Sequence, residues 1–257
     1  MDFDDAAAER LEATYLGHDV IQQRTDTLAL LDIAPGEHVV DIGSGPGFLA
    51  QGMAHLTGDG GRVVGVDLSP ALIRRATARA EASWLSYVEG DATALPFDDA
   101  SFDIAVSTQV AEYVPDIAAL CTEMARVLKP GGRGLVMATD WGGVVWQSSD
   151  PERMARVLEA FEPHCANPRL PRTLAPHLRK AGLVVDEVSA FPIVNLDMSD
   201  GTYSRGMAGF IAGYVRNSGT LPEAEIDAWL SDLRALSARG DYFMSTTRFS
   251  FLVTKPA

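Results

Sequence analysis

The chain reads as an α/β protein built on an open, mostly parallel sheet flanked by helices, and three features predict that class. Val39, Val40 and Ile42 form a short β-branched run of the kind a buried parallel strand carries, and it stops at Gly43, Gly45 and Gly47, three glycines on alternate positions. A second β-branched run over 62–67 ends in Asp67, 20 residues after Gly47, which is the room one crossover helix and the next strand need. Strand-like and helix-like segments then alternate as far as residue 139.

The glycine run is the organising stretch. Glycine lets the backbone turn sharply at the strand's carboxyl end and lets a ligand approach main-chain N–H groups that a Cβ would shield. The following segment, 48–56, is then a helix whose positive N-terminal end faces an anion in the turn. A nicotinamide or flavin fold places its third glycine one position later, where this chain has Phe48. The spacing present is Gly-x-Gly-x-Gly, with Asp41 two residues ahead of Gly43. It resembles the first motif of the class I S-adenosylmethionine-dependent methyltransferases. A turn that binds nothing needs neither three glycines nor a carboxylate. The resemblance implies that Asp41, Gly43, Ser44, Gly45 and Gly47 hold the amino-acid end of the cofactor.

Ahead of this motif, 9–31 has a helical apolar pattern in Leu11, Tyr15, Val20, Ile21, Leu28 and Leu31, interrupted at Gly17. In such methyltransferases a segment like this covers the cofactor, so 1–34 is expected to be an N-terminal helical cover; Tyr15 reads as packed and Arg24 as exposed. Asp67 is placed to accept both ribose hydroxyls, and Leu68 beside it to pack on adenine. Asp67 can alternatively cap the helix 70–82, but Ser69-Pro70 is itself a start signal, which leaves Asp67 free.

The third strand, 84–89, leads to Gly90-Asp91-Ala92, which resembles the family motif that reads the adenine amino group through the carboxylate while a backbone N–H meets the ring. The phrase from Leu95 through Asp103 resembles methyltransferases that act on small molecules. The fourth strand, 102–107, brings Gln109 to its carboxyl end, where ligands bind in open α/β sheets, facing the methionine part of the cofactor. Glu112 and Tyr113 open the next helical stretch; either can point into the pocket, and Tyr113 equally reads as core. The helix 116–128 ends at Lys129-Pro130-Gly131-Gly132, and a fifth strand follows over 133–139. The phrase from Arg126 to Gly132 is shared with the family and has a structural role only. The resemblance thus runs almost unbroken from 38 to 139. It implies a Rossmann-like sheet of seven strands in the order 3-2-1-4-5-7-6, the seventh antiparallel, with 183–191 and 242–254 as the last two strands.

Two stretches exceed what that sheet requires, 140–171 and 193–241, and both are expected to form a lid that holds the substrate over a single methyltransferase domain spanning 1–257. The second contains two amphipathic helices, near 202–216 and 222–237. Trp141, Trp146 and Tyr203 are expected to line an apolar pocket, Trp141 because it follows a strand's carboxyl end directly, whereas Phe161, Phe210 and Trp229 read as covering the sheet. Methyl transfer from a sulfonium needs alignment in a dry cavity, and a base only if the acceptor must lose a proton. His164 and Asp140 are the expected catalytic residues, with His177 and Tyr203 also chemically capable; His164 leads because it lies in an insertion, although a surface or capping histidine is the simpler reading.

Composition bounds the partners. With 35 acidic and 21 basic side chains the net charge is −14, a field that repels nucleic acid and anionic lipid; Arg74, Arg75 and Arg79 at helical spacing read as a solvated face. No apolar run is long enough to span a bilayer, and the first ten residues lack the basic-then-apolar pattern of a secretory signal. The two cysteines, Cys121 and Cys165, fit a reducing cytoplasm, give no disulfide scaffold and are too few for a thiolate zinc site, so no metal is expected. They also count against arsenite methylation, an activity of similar sequences that uses several thiols.

The sequence therefore predicts a cytoplasmic methyltransferase that uses S-adenosylmethionine, releases S-adenosylhomocysteine and acts by C- or O-methylation on a small, apolar or aromatic acceptor. It resembles the quinone-biosynthesis and sterol methyltransferases. Nothing in it fixes the oligomeric state. Two other readings stay open: a nicotinamide-dependent oxidoreductase, opposed by Phe48 and by the Gly90-Asp91-Ala92 motif, and a non-catalytic module that binds the same cofactor.

Overall fold

A computed structural model describes Glu9, Glu12 and residues 15–257. Leu11 and most of the first fourteen positions of the expected cover lie outside the described residues. Gly17 breaks the helical run as the spacing predicts: Tyr15 is helical, Leu16 and Gly17 are not, and Gly17, in extended conformation, is the N-cap of α1, His18–Leu31.

The first half follows the strand-helix alternation: β1 His38–Ile42, α2 Phe48–Thr57, β2 Arg62–Asp67, α3 Pro70–Arg79, β3 Leu85–Glu89 and β4 Phe102–Thr108. Ser69 caps α3 by accepting from the Leu72 N–H, with Pro70 at the first helical position. A short 3₁₀ turn, Ala111–Tyr113, precedes α4, Ile117–Val127, capped by Asp116. Strand β5, Leu128–Thr139, starts five residues earlier than the sequence indicates. Leu128 already pairs with Phe102, and an irregularity follows before Arg133 pairs with Ile104, so the Pro-Gly-Gly phrase is absorbed into the strand rather than separating it from the helix.

The second half contains β6 Val145–Trp146, α5 Pro151–Phe161, α6 Leu174–Lys180, β7 Val184–Asn195, α7 Tyr203–Ser218, α8 Glu223–Arg239 and β8 Met244–Thr254. The sheet order is β3-β2-β1-β4-β5-β8, with β7 on the far side of β8. Strands β1 to β5 are parallel, and β8 is antiparallel to both β5 and β7. This is the expected order with β7 and β8 as sixth and seventh strands. The two-residue β6 is additional; it pairs with Met244 and Ser245 at the start of β8, and it is too short to leave a periodic signal.

Three apolar clusters hold this together. One face of the sheet packs Val40, Ile42, Val136, Ala138 and Phe251 under α4 and α6. The other packs Val39, Val63, Ile104, Leu135 and Met137 under α1 and α2. A third cluster joins both insertions: Trp146, Met154, Val157 and Phe161 pack with Ile211, Val215, Ile226, Trp229 and Leu233. The insertions therefore form one helical layer against the start of β8 and the end of β7. Among the described residues no helix is long and apolar enough to cross a membrane.

Candidate active site

The turn after β1 is built from three left-handed glycines, with φ of 76° at Gly43, 53° at Gly45 and 83° at Gly47. Gly43 and Ser44 N–H groups both donate to the Val66 carbonyl, at 2.7 and 2.9 Å, tying the turn to the end of β2. A Cβ on Gly43 would strike Val110, and one on Gly47 would strike the Tyr87 hydroxyl and Ala76. At Gly45 the nearest atom to such a Cβ would be the Tyr15 hydroxyl at 3.8 Å, so this glycine presents its backbone to open space beneath Tyr15. Tyr15 stacks on Phe48, whose ring also lies against the guanidinium groups of Arg24 and Arg79. Arg24, expected to be exposed, is half-buried in this stack and donates to the Tyr15 carbonyl.

Asp67 is not free as expected. Its carboxylate accepts from the Gly45 N–H at 2.8 Å and from the Ser69 N–H at 2.9 Å, so it braces the glycine turn and the start of α3 together. It still stands at the carboxyl end of β2 beside Leu68, whose side chain is 65% exposed, a bare apolar surface where a flat base can lie. Asp91 follows β3, is exposed, and accepts from both the N–H and the hydroxyl of Thr93, with Ala92 buried beside it.

The polar interior lies deeper. Asp41 is buried with Oδ2 unpartnered, and burial, with Asp67 nearby, pushes its pKa up to about 7. Gln109 sits in left-handed conformation at φ 59°; its Oε1 accepts from the Thr139 hydroxyl at 2.5 Å and its Nε2 has no partner. Glu112 is 0% exposed; Oε1 accepts from the Thr139 N–H at 3.1 Å and Oε2 has no partner. Burial raises its pKa to about 7, against the pull of Arg248. Ser44 and Ser107 hydroxyls are likewise buried and unpartnered. Buried polar atoms are nearly always satisfied in folded proteins, so this concentration at the carboxyl ends of β1, β4 and β5 marks a polar ligand site. A cofactor with an apolar base at one end and an amino-acid group at the other suits it: bare Leu68 beside Asp67 at one side, and Asp41, Gln109 and Glu112 at the other.

Beyond the strand ends, a cavity of about 370 Å³ lies in the insertion layer, walled by Trp141, Trp146, Phe161, His164, Met207 and Met244 among others. Trp141 and Trp146 both stand in its wall. Trp146 is otherwise core, with its indole N–H on the Tyr242 hydroxyl at 3.0 Å. His164 is buried and stacked on Phe161 with ring centroids 3.7 Å apart. Its Nδ1 donates to the Phe161 carbonyl at 2.8 Å, which leaves Nε2 as an unpartnered lone pair, and burial lowers the pKa to about 4. The edges of Trp141 and Tyr113 meet the His164 ring, and Tyr113 is the neighbour of Glu112, so cavity and glycine turn share one edge of the sheet.

Two expected residues stand elsewhere. Asp140 is not part of the cavity wall; it accepts from the Gly142 N–H at 3.1 Å and pairs with Arg172 at 2.9 Å, a capping and ion-pairing role. Tyr203 is buried outside the cavity, with Arg248 over its ring at 4.9 Å. Sequence reading missed Arg248 and Tyr87. For Arg248 a signal existed: alternation along 244–250 puts Met244, Thr246, Arg248 and Ser250 on one face, all buried. Among the described residues no group of three or more His, Cys, Asp or Glu is arranged to hold a metal ion.

Residues 40–136 match the methyltransferase domain family. With this domain and its Rossmann-like fold, the chain carries the domain and architecture of the class I S-adenosylmethionine-dependent methyltransferases. It is 32% identical to a 37.1 kDa transposon protein of Streptomyces fradiae, over 86% of this chain and 64% of that one. It is 31% identical to nocamycin O-methyltransferase of Saccharothrix syringae, over 66% of this chain and 63% of the relative. The structure of Haemonchus contortus phosphoethanolamine N-methyltransferase 2 with S-adenosyl-L-methionine shares the fold at a TM-score of 0.62 and 20% identity, covering 99% of this chain and 58% of that one. The chain spans between 41% and 64% of the length of these and similar curated relatives.

Proposed function

We propose that this protein is an enzyme that transfers the methyl group of S-adenosylmethionine to a small organic acceptor with apolar or aromatic character, by C- or O-methylation. One observation carries the reading: a left-handed glycine turn and buried, unpartnered polar atoms on Asp41, Gln109 and Glu112 stand at the strand ends, and Tyr113, next to Glu112, meets His164 in the wall of an apolar cavity that Trp141 and Trp146 also line. When bound, the cofactor supplies an electrophilic methyl group on a positively charged sulfur.

The chain's own groups have separable tasks. Asp67 and Leu68 hold ribose and adenine, with Asp91 and Ala92 at the base edge. Gly43, Ser44, Gly45 and Gly47 shape the turn for the amino-acid end, and Gln109 offers its free amide N–H there. Asp41 and Glu112 place two titratable carboxylates where positive charge is welcome. Residues 140–171 and 193–241 form the acceptor chamber, excluding water so that donor and acceptor stay aligned. His164 is neutral at physiological pH, with an unpartnered Nε2 lone pair on the chamber wall that can accept a hydrogen bond from an acceptor's O–H and orient it.

Calorimetric titration with S-adenosylhomocysteine tests this directly. The wild-type chain binds it, and Asp67→Ala weakens binding by about 10- to 100-fold, the range expected for losing a charged acceptor of ribose hydroxyls, while circular dichroism stays unchanged. Equal affinity in wild type and variant would remove the ribose assignment; no uptake by the wild type would remove the function.

A further inference from the structure

Arg248 lies buried on β8. It is 5% exposed, and its known partners are the Gln23 side-chain oxygen on Nη1 and the Tyr203 ring. Its Nε is buried and has no hydrogen-bond partner. A guanidinium withdrawn from water needs negative charge near it; among the described residues no carboxylate bonds to this one, and the acid whose charge it reaches is Glu112, which leaves Nε open to a further anion. With Nη1 taken by Gln23, the open edge is the one bearing Nε, which meets a carboxylate side-on through two parallel N–H groups.

Its place in the sheet indicates which anion. Arg248 pairs across to Thr139 at the end of β5, and Thr139 binds both Gln109 and Glu112. In the other direction the same face of β8 carries Thr246, whose buried hydroxyl is also unpartnered, and then Met244, which lines the cavity. On α7, Tyr203 stands one turn from Met207, another lining residue. Arg248 therefore lies between the cavity and the donor end of the site. Strand β8 is three strand spacings from β1 and its glycine turn, about 14 Å in an ordinary sheet.

We propose that Arg248 recognises a carboxylate on the methyl acceptor, so that the substrate is a small aromatic or apolar acid whose carboxylate reaches from the cavity past Met244 and Met207 towards the strand ends. This rests on the methyl-transfer reading above. The net charge of −14 opposes an anionic substrate in solution, and a buried guanidinium is what overcomes it.

The test uses protein saturated with S-adenosylhomocysteine, titrated with aromatic carboxylates from benzoate to naphthoate and, in parallel, with their neutral carboxamides. At least one carboxylate binds about tenfold or more tightly than its carboxamide, the worth of a charge-assisted pair. R248Q abolishes that preference and leaves S-adenosylhomocysteine affinity unchanged; R248K, which keeps the cation and carries the test should R248Q unfold, retains only part of it. Carboxylates that never outbind their carboxamides in the wild type overturn the proposal, as does a preference that survives in R248Q. A drop in S-adenosylhomocysteine affinity in R248Q also overturns it, since the guanidinium would then serve the donor's own carboxylate. Failure of the wild type to bind S-adenosylhomocysteine at all would instead strike the function on which the proposal stands.

Discussion

Asp41 is a carboxylate placed where water cannot reach it, on the last turn of a strand and next to a second acid. Its pKa is raised by burial and by Asp67 to about 7, so the protonated form is the one the fold prefers. The sign follows from linkage: this stabilising contribution is complete below the unfolded value near 4 and is lost as pH rises through about 7. An upper figure for the loss is about 4 kcal/mol, from roughly three pKa units. Asp41→Asn removes the ionisation while keeping the shape. The melting temperature of Asp41→Asn minus that of wild type, measured without ligand, is therefore near zero at pH 4 and becomes positive by several degrees at pH 8. A difference that stays flat across that range would mean Asp41 ionises freely. Such a group is useful in a site for a cationic donor, because the energy withheld in forcing the carboxylate to stay neutral is returned when positive charge arrives.

At the scale of elements, Gly47 in the turn between β1 and α2 and Gly131 in β5 show how two glycines with a similar φ can do different work. Gly47 and Gly131 have φ of 83° and 78°, yet a Cβ on Gly47 meets Tyr87 and Ala76 whereas one on Gly131 meets nothing within 4 Å. Alanine at Gly131 costs only the left-handed backbone, about 1–2 kcal/mol. Alanine at Gly47 adds displacement of Tyr87, which donates to the Gly47 carbonyl at 3.2 Å and packs over Gly65. Chemical denaturation should place Gly47→Ala below Gly131→Ala by at least about 1 kcal/mol, and only Gly47→Ala should weaken S-adenosylhomocysteine binding. The glycine spacing was readable from sequence because it is local. So were β1 to β4, whose β-branched runs and crossover lengths leave few alternatives. Arg126 also illustrates this: it pairs with Glu123 and Asp99 and donates to the Leu95 and Phe97 carbonyls, so the phrase it opens is scaffolding for the loop 95–103, as its pattern indicated. Other features were not legible, and each depends on distant pairing. Asp67 looked available because Ser69 could cap α3, but the Gly45 N–H reaches it across 22 residues. Asp140 looked like a base at a strand end until Arg172, 32 residues on, claimed it. Arg248 gains its meaning only when β8 inserts between β5 and β7.

On the proposed function, the whole molecule divides its labour between a sheet that carries the donor site and a helical layer that carries the acceptor chamber. The two have distinct apolar cores: the sheet's faces are filled by residues of β1 to β5, β8, α1, α2, α4 and α6, and the layer by residues from both insertions with Val20 of α1 and Met244 of β8. Trp229 is the centre of the second core. It is 0% exposed, meets Trp146 edge to face at 5.7 Å between centroids, and places its indole N–H against the Met154 sulfur. It touches no residue of the glycine turn. Trp229→Ala removes that volume beneath a cavity-lining tryptophan and costs about 3–5 kcal/mol. If the layer is a cooperative unit of its own, the loss falls on α5, α7 and α8. Their amide protons should then exchange much faster in the variant, while those of β1, β2 and β4 keep their protection. Affinity for S-adenosylhomocysteine should remain within about twofold of wild type, since distant sites couple weakly, and the preference for carboxylate over carboxamide should disappear as the chamber wall loosens. Uniform loss of protection across the sheet would instead mean that β7 and β8, which run through both regions, bind them into one folding unit. The chamber could not then vary without cost to the donor site.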